Sequence, residues 1–336
     1  MKAIVQDHYG SINDLRFAEV PRPKPADDAV LIKVRAASLH PDVWHVVTGR
    51  PAVLRLMGAG VARPKHQVPG TDVAGVVAAV GRAVLRFQPG DEVLAETVRG
   101  VQWRNGGAFA EFATAPEDGV ALKPTSVTFE EAAAVPTAGL IALNNLPLRR
   151  VPRGSRVLVN GAAGGVGAFA VQLAKVYGAE VTAVDHPRKL DLVRSLGADR
   201  TLDYTRDDFT RGGEQWDLIF DVPGNHSFRE IRRALNPHGG YVLIGHDAFG
   251  AAGHSWLGSI PRMLGLMARS AVTPALRGGS LAPPDKPRLL STLTQLMDTG
   301  QLRVVLDRTF PLAQTPAALR YLTSGRAVGR VVIVVD

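Results

Sequence analysis

Cysteine is absent from the 336 residues. That absence excludes disulfides, thiolate nucleophiles and every zinc site that needs sulfur. Also missing is any apolar run of membrane-spanning length free of charge, and Asp7 falls where a signal peptide would need its apolar centre. The expectation is a soluble, uncleaved chain, with the cytoplasm as its default compartment. Lysine is scarce, 8 against 31 arginines, and the arginines are scattered rather than clustered. A formal net charge of +8 suits an anionic partner, whether nucleic acid, membrane or a phosphorylated cofactor. No aromatic-interleaved basic run of the RNA-recognition kind accompanies that charge, so neither a nucleic-acid partner nor a membrane span is expected.

A hydrophobic content of 46% with 21% charged residues is the profile of a globular protein, and the length allows two domains with a core each. Residues 1 to about 120 are β-rich in pattern, short apolar runs such as "AVLIKVRAAS" and "GVVAAVG" being punctuated by Gly and Pro. From Arg156 strands and helices alternate: "RVLVN", a helix over Gly165–Tyr177 closed by Gly178, "EVTAVD", a helix at Lys189–Leu196, "WDLIFDV" and "GYVLIGH". Such βα units predict a parallel sheet. Residues 249–285 are apolar but broken by Pro261, Arg262 and Arg269, and suit a pocket lid, an interface helix or a surface anchor, with the lid or interface expected. The tail returns to β character in "GRVVIVVD". A β-rich head and a β-ended tail around an α/β block predict an inserted nucleotide-binding domain, with borders at 1–122, 123–284 and 285–336.

"VNGAAGGVG", Val159–Gly167, joins the first strand of the α/β block to its first helix. It matches G-x-G-x-x-G with Ala162 in the first glycine position, followed by Gly164 and Gly167. A turn without bulky Cβ atoms lets the N–H groups at a helix N-terminus approach a pyrophosphate, and Gly167 permits close helix–strand packing. An acid eighteen residues past Gly167, Asp185, ends the next strand, where a carboxylate accepts from ribose hydroxyls. Asp185 argues for NAD(H), whereas Arg188 and Lys189, a turn away, could pair with the 2′-phosphate of NADP(H).

The stretch "SLHPDVWH", Ser38–His45, gathers two histidines, an acid and a tryptophan after a strand-like run. Its residues admit a metal site, an acid–base pair or a turn with a polar surface. Metal held by His40, Asp42, His45 and His66 is the weakest of these, because Pro41 constrains the turn and nothing in the sequence makes those side chains converge.

Several strings together resemble one family, the medium-chain dehydrogenases/reductases, and within it the zinc-free quinone oxidoreductase-like branch. They are "GTDVAGVVAAVG", "FQPGDEV", "GAFAEF", "AAAVPTAGLIAL", "VNGAAGGVGAFAVQLAK", "LVRSLGAD", "LDYTRDDF" and "GRVVI", in family order over nearly the whole chain. The resemblance implies a Rossmann-type doubly wound parallel sheet inserted into a β-rich GroES-like catalytic domain, with a substrate cleft between them and a homodimer as the family's usual assembly. It further implies NAD(P)H-dependent reduction of quinones or of the C=C bond in α,β-unsaturated carbonyl compounds, NADPH being the usual cofactor of the branch. Where zinc-dependent members place metal ligands, the matching positions here carry His40, Thr71 and Thr137. Where the zinc-free branch has Asn-Pro-x-Asp-Trp, this chain reads His40-Pro41-Asp42-Val43-Trp44. His40 is therefore the candidate donor to a developing enolate, with Tyr9, Asp42, Trp44 and Thr137 as candidate pocket residues. Candidate cofactor contacts are Asn160, Ala163, Gly164, Gly165, Val166, Asp185, His186, Arg188, Lys189, Tyr204 and Gly245, with NADP(H) slightly ahead of NAD(H) and no zinc. The altered "LHPDV" keeps open a reductase fold recruited for unusual biosynthetic chemistry, and the basic charge keeps open an RNA- or membrane-binding protein on the same scaffold.

Overall fold

The computed structural model describes residues 1–99, 104–146, 152–245, 256–257, 261, 264–266, 269, 273 and 284–336. The chain divides into two compact units, Met1–Leu140 with Asp285–Asp336, and Ile141–Pro284.

In chain order the first unit opens with the antiparallel pair β1 (Lys2–Val5) and β2 (Arg16–Glu19), then β3 (Ala29–Leu39) and helix α1 (Pro41–Thr48). There follow β4 (Asp72–Val80), β5 (Glu92–Glu96), β6 (Phe112–Pro116), β7 (Val120–Leu122), α2 (Phe129–Ala133) and α3 (Pro136–Asn145). The second unit runs β8 (Arg156–Asn160), α4 (Gly165–Val176), β9 (Glu180–Asp185), α5 (Leu190–Ser195), β10 (Arg200–Asp203), β11 (Trp216–Asp221), α6 (Phe228–Arg233) and β12 (Leu235–Leu243). The tail adds α7 (Lys286–Asp298), β13 (Leu306–Pro311), α8 (Thr315–Thr323) and β14 (Arg330–Val334) to the first unit.

The sheet of the first unit has the order β13-β14-β3-β4-β5-β7, with β6 also paired to β3. Tail strand β14 lies antiparallel to β3, Val331 opposite Leu39 and Val334 opposite Ala36, so both ends of the chain share one sheet. Its core gathers Ile32, Val34, Leu39, Val73, Val77, Val93, Phe109, Val331 and Ile333, each worth roughly 1.5–3 kcal/mol for a fully buried aliphatic or aromatic side chain. A second cluster joins Ala36, Ala74, Leu94, Ala132, Ala133, Ala134, Leu140, Leu290 and Val332. That cluster ties α2 and the start of α3 to the first unit, which places the border near 140 rather than at the expected 122.

The stretch "HPDVWH", for which a turn is one of three readings, is helical. Pro41 sits at the first helical position, Asp42 lies in the first turn, and Gly49 closes the helix in the left-handed conformation. The second unit holds an all-parallel sheet of order β10-β9-β8-β11-β12, whose strand order reverses between β8 and β11. In open α/β sheets ligands bind outside the carboxyl ends of the strands at that reversal. The expected lid at 249–285 lies almost entirely outside the described residues. No helix among the described residues is long and apolar enough to cross a membrane.

Candidate functional site

The turn between β8 and α4 is built by backbone approach. Gly161 has φ +76° and donates its N–H to Val184 O at 2.9 Å. A Cβ on Gly167 would lie 2.1 Å from Gly161 O, so α4 packs on the turn at a distance only glycine permits. A Cβ on Gly164 would meet Gly161 O alone, at 3.3 Å, which leaves the space in front of that residue open. The first N–H groups of α4, from Gly165 onward, have no acceptor within the helix and are the donors an anion would take. This cradle fits the pyrophosphate of a dinucleotide.

Asp185 is buried, and both carboxylate oxygens are engaged: Oδ2 accepts from Ala163 N at 2.8 Å and Oδ1 from His186 N at 2.8 Å. The acid expected to read a ribose instead fastens the glycine turn to the end of β9. His186 accepts from Arg188 N through Nδ1 at 3.3 Å and meets the Tyr204 ring edge-on, centroids 6.0 Å apart. Arg188 is exposed and Lys189 half-buried, and neither has a carboxylate partner among the described residues. Asn160 is buried and donates to Asp221 Oδ1 at 2.9 Å, and Asp221 Oδ2 accepts from Tyr241 at 2.9 Å. These bonds brace the strand ends at the point where the order reverses. Gly245 is required by packing, since a Cβ there would fall 1.3 Å from Val222 O.

The first unit buries a charged network around its sheet. His40 Nε2 lies 2.7 Å from Thr71 Oγ1, and Nδ1 lies 3.3 Å from Asp42 Oδ2. Thr71 donates to Asp72 Oδ1 at 3.4 Å, while Thr137 donates its hydroxyl to Asp72 Oδ1 at 2.5 Å and its N–H to Asp72 Oδ2 at 3.1 Å. The Thr137 hydroxyl also lies 3.3 Å from Glu96 Oε1. Two cations from the tail answer the acids. Arg330 reaches Asp72 at 3.6 Å and donates to Ser38 Oγ at 2.6 Å, and Lys286 pairs with Glu96 at 2.5 Å and donates to Val98 O at 2.8 Å. Asp72 and Glu96 are fully buried and Arg330 nearly so, which such groups tolerate only when paired. Burial alone would lower the His40 pKa, but the contact with Asp42 and the charges of Asp72 and Asp42 outweigh burial and the opposing Arg330, leaving it raised. Burial pulls Arg330 down, and Asp72 partly restores it.

His40, Thr71 and Thr137, far apart in sequence, thus stand together through Asp72. His40 is only 3% exposed and both ring nitrogens face protein groups, so a substrate oxygen reaches it only by displacing Thr71 or Asp42. The other candidates of this region go elsewhere. His45 Nδ1 lies 2.7 Å from Arg50 O and its ring packs edge-on against the half-buried Trp44; the Tyr9 hydroxyl donates to Gly60 O at 2.7 Å under the Arg55 guanidinium; His66 is exposed. Burial raises the Tyr9 pKa against the pull of Arg55. Asp72, Glu96, Lys286 and Arg330 are the members that sequence reasoning missed. Arg330 and Asp72 had a signal, each a charge at the head of an apolar run, "GRVVIVV" and "TDVAGVVAAV". The donor set does not fit zinc, since a single imidazole stands with two threonine hydroxyls already committed to Asp72, and no group of three metal-ligating side chains converges among the described residues.

The family model for the alcohol dehydrogenase GroES-like domain matches residues 26–125, and that for the zinc-binding dehydrogenase matches residues 196–333. The chain is 32% identical to the chloroplast envelope quinone oxidoreductase homolog of Arabidopsis thaliana, over 99% of this chain and 98% of that protein. It is 33% identical to the 2-methylene-furan-3-one reductase of Solanum lycopersicum, over 99% of this chain and 79% of the other. Among solved structures, the quinone oxidoreductase from Coxiella burnetii superposes with a TM-score of 0.83 at 28% identity, covering 100% of this chain and 99% of its own. With a relative of such identity aligned along its full length, the chain belongs to the medium-chain dehydrogenase/reductase superfamily, in its quinone oxidoreductase-like branch.

Proposed function

We propose that the protein is a zinc-independent, NAD(P)H-dependent reductase of quinones or of the C=C bond in α,β-unsaturated carbonyl compounds. The observation that carries this reading is the donor set at His40, Thr71 and Thr137, which holds hydrogen-bonding groups where a metal-dependent relative would need ligands. Relatives named for quinone and alkenal/one reduction support it. When bound, the reduced dinucleotide supplies a hydride. Charge developing on a conjugated carbonyl oxygen would need a hydrogen-bond donor there rather than a Lewis acid, and the hydroxyl and imidazole groups around Asp72 are of the donor type. The open face at Gly164 and the first turn of α4 would hold the pyrophosphate. His40 is a positioning residue: it keeps its proton to higher pH than an ordinary imidazole and fixes the Thr71 hydroxyl between Nε2 and Asp72.

NADPH is favoured over NADH. Arg188 and Lys189 meet no carboxylate among the described residues, while the Asp185 carboxylate already accepts two backbone N–H groups. The test is oxidation of NADPH and of NADH by the purified protein against a panel of quinones, enones and enals, before and after chelator. Turnover with a quinone or enone, undiminished by chelator, is expected. Oxidation of simple alcohols that is lost with about one zinc per chain would overturn the reading, and salt-dependent RNA binding without dinucleotide quenching would replace an enzyme with a binding protein.

A further inference from the structure

The first unit carries a groove of about 1100 Å3 that the reductase reading does not use, since neither His40, Asp42 nor Thr137 lines it. Its rim bears Lys24, Arg63, Lys65, Arg99 and Arg104 against one acid, Asp7. Asp7 is already paired with Arg16 at 2.6 Å, and Arg99 with Asp28 at 2.5 Å. Lys24, Arg63, Lys65 and Arg104 meet no carboxylate among the described residues, and the first three are exposed. An independent observation comes from Asn105, which lines the same groove and is 95% buried, only 5% of it exposed. Its Nδ2 donates to His66 O at 2.6 Å and to Gln6 Oε1 at 3.0 Å, two groups that can only accept, so the amide orientation is fixed. Its Oδ1 is left buried with no donor among the described residues.

We infer that this groove is a binding site for a small phosphate ester that also carries hydroxyl or amide donors. Cations without carboxylates take an anion, and the two arginines can present paired N–H groups to phosphate oxygens. An orphaned buried carbonyl requires a donor, which inorganic phosphate at neutral pH supplies poorly and a sugar or amide moiety supplies well. The volume is that of a small-molecule site.

The test uses the full chain saturated with NADPH, so that the dinucleotide turn is filled, and ribose 5-phosphate as the probe by titration calorimetry. Ribose 5-phosphate is expected to bind at least tenfold more tightly than inorganic phosphate, and the double substitution Arg63→Glu with Lys65→Glu should weaken it tenfold or more. Both residues are exposed, so folding and NADPH affinity should be unchanged. Equal affinity for inorganic phosphate would reduce the groove to a rim of cations and overturn the inference. It would equally be overturned by no binding, by binding indifferent to the double substitution, or by a single-stranded oligoribonucleotide that binds more tightly than the probe and is lost with the same residues. Only the NADPH saturation rests on the reductase reading, and repeating the titration without NADPH separates its failure from that of the groove, because the loss in the double variant is read at the groove alone.

Discussion

The two units bury polar groups by opposite means. In the second, the turn at Gly161–Gly167 is made of backbone: glycine brings chain segments to contact distance, and one carboxylate, Asp185, pins the result. In the first, the network is made of side chains, with charges from α1, β4, β5, α7 and β14 joined by the hydroxyls of Ser38 on β3 and Thr137 on α3. A backbone cradle answers to local geometry, and one added methyl group tests it. A charged network answers to balance, and it is tested by taking one charge away.

The largest effect is therefore expected where balance is broken. Arg330→Met leaves Asp72 buried without its cation, and loss of one partner of a buried pair costs about 3–5 kcal/mol. Adding Asp72→Asn to Arg330→Met should recover part of that loss, and a double-mutant cycle in urea measures the coupling. A single-variant loss under about 1 kcal/mol, the range of an exposed pair, would show that the network does not behave as a buried one.

Next comes the cradle. Gly164→Val meets only Gly161 O near its Cβ, so the fold should persist, while the side chain fills the space of the pyrophosphate. Losing two hydrogen bonds to a charged group, at about 1.5–3 kcal/mol each, predicts dinucleotide binding weakened by roughly 3 kcal/mol or more. Gly167→Ala should instead lower stability, because its Cβ is driven against Gly161 O. If the two substitutions behaved alike in unfolding and in dinucleotide titration, the division between an open and a packed side of the turn would fail.

The difference in construction also explains what could be read from the sequence. The glycine turn lies within nine contiguous residues, and its strand, helix and acid follow at fixed offsets, so "VNGAAGGVG" is legible as the link between β8 and α4. The parallel sheet and the return of the tail to the β-rich unit followed from apolar patterning and family order. The network could not be located in that way, because Asp72, Glu96 and Arg330 are brought together only by the register of β3, β4, β5 and β14, and Lys286 only by where α7 begins. Helix α1 has its start and stop in Pro41, Asp42 and Gly49, but at 8 residues it is too short for its apolar spacing to stand apart from a turn.

A smaller effect separates the two cofactors. Arg188→Ala should weaken NADPH by about 1.5–3 kcal/mol, the scale of a charge-assisted hydrogen bond, and leave NADH nearly untouched. Asp185→Ser should weaken both, because it removes the acceptor of Ala163 N and loosens the turn itself. Dissociation constants for both cofactors decide it. An Asp185→Ser variant that tightened NADPH would show the carboxylate to act by repulsion at the ribose rather than by holding the turn.

The smallest effect is a slope. His40 has a raised pKa in the folded chain, with Asp42 and Asp72 favouring its proton over burial and Arg330. For a group of this sign the folded state binds more protons than the unfolded chain between the two pKa values. Its contribution to stability is therefore fully present below the unfolded value, about 6.5 for a free imidazole, and is lost as pH rises through the higher folded value. Asp42→Asn removes the contact at Nδ1 and one of the two favouring charges, while Asp72 remains in place behind Thr71. Urea stability of the wild type should fall as pH rises above neutrality, and the Asp42→Asn variant should fall less over the same interval, with the difference vanishing in His40→Gln. Parallel slopes in all three proteins would mean that His40 is neutral when folded, and that the proton assigned to it in the first unit lies elsewhere.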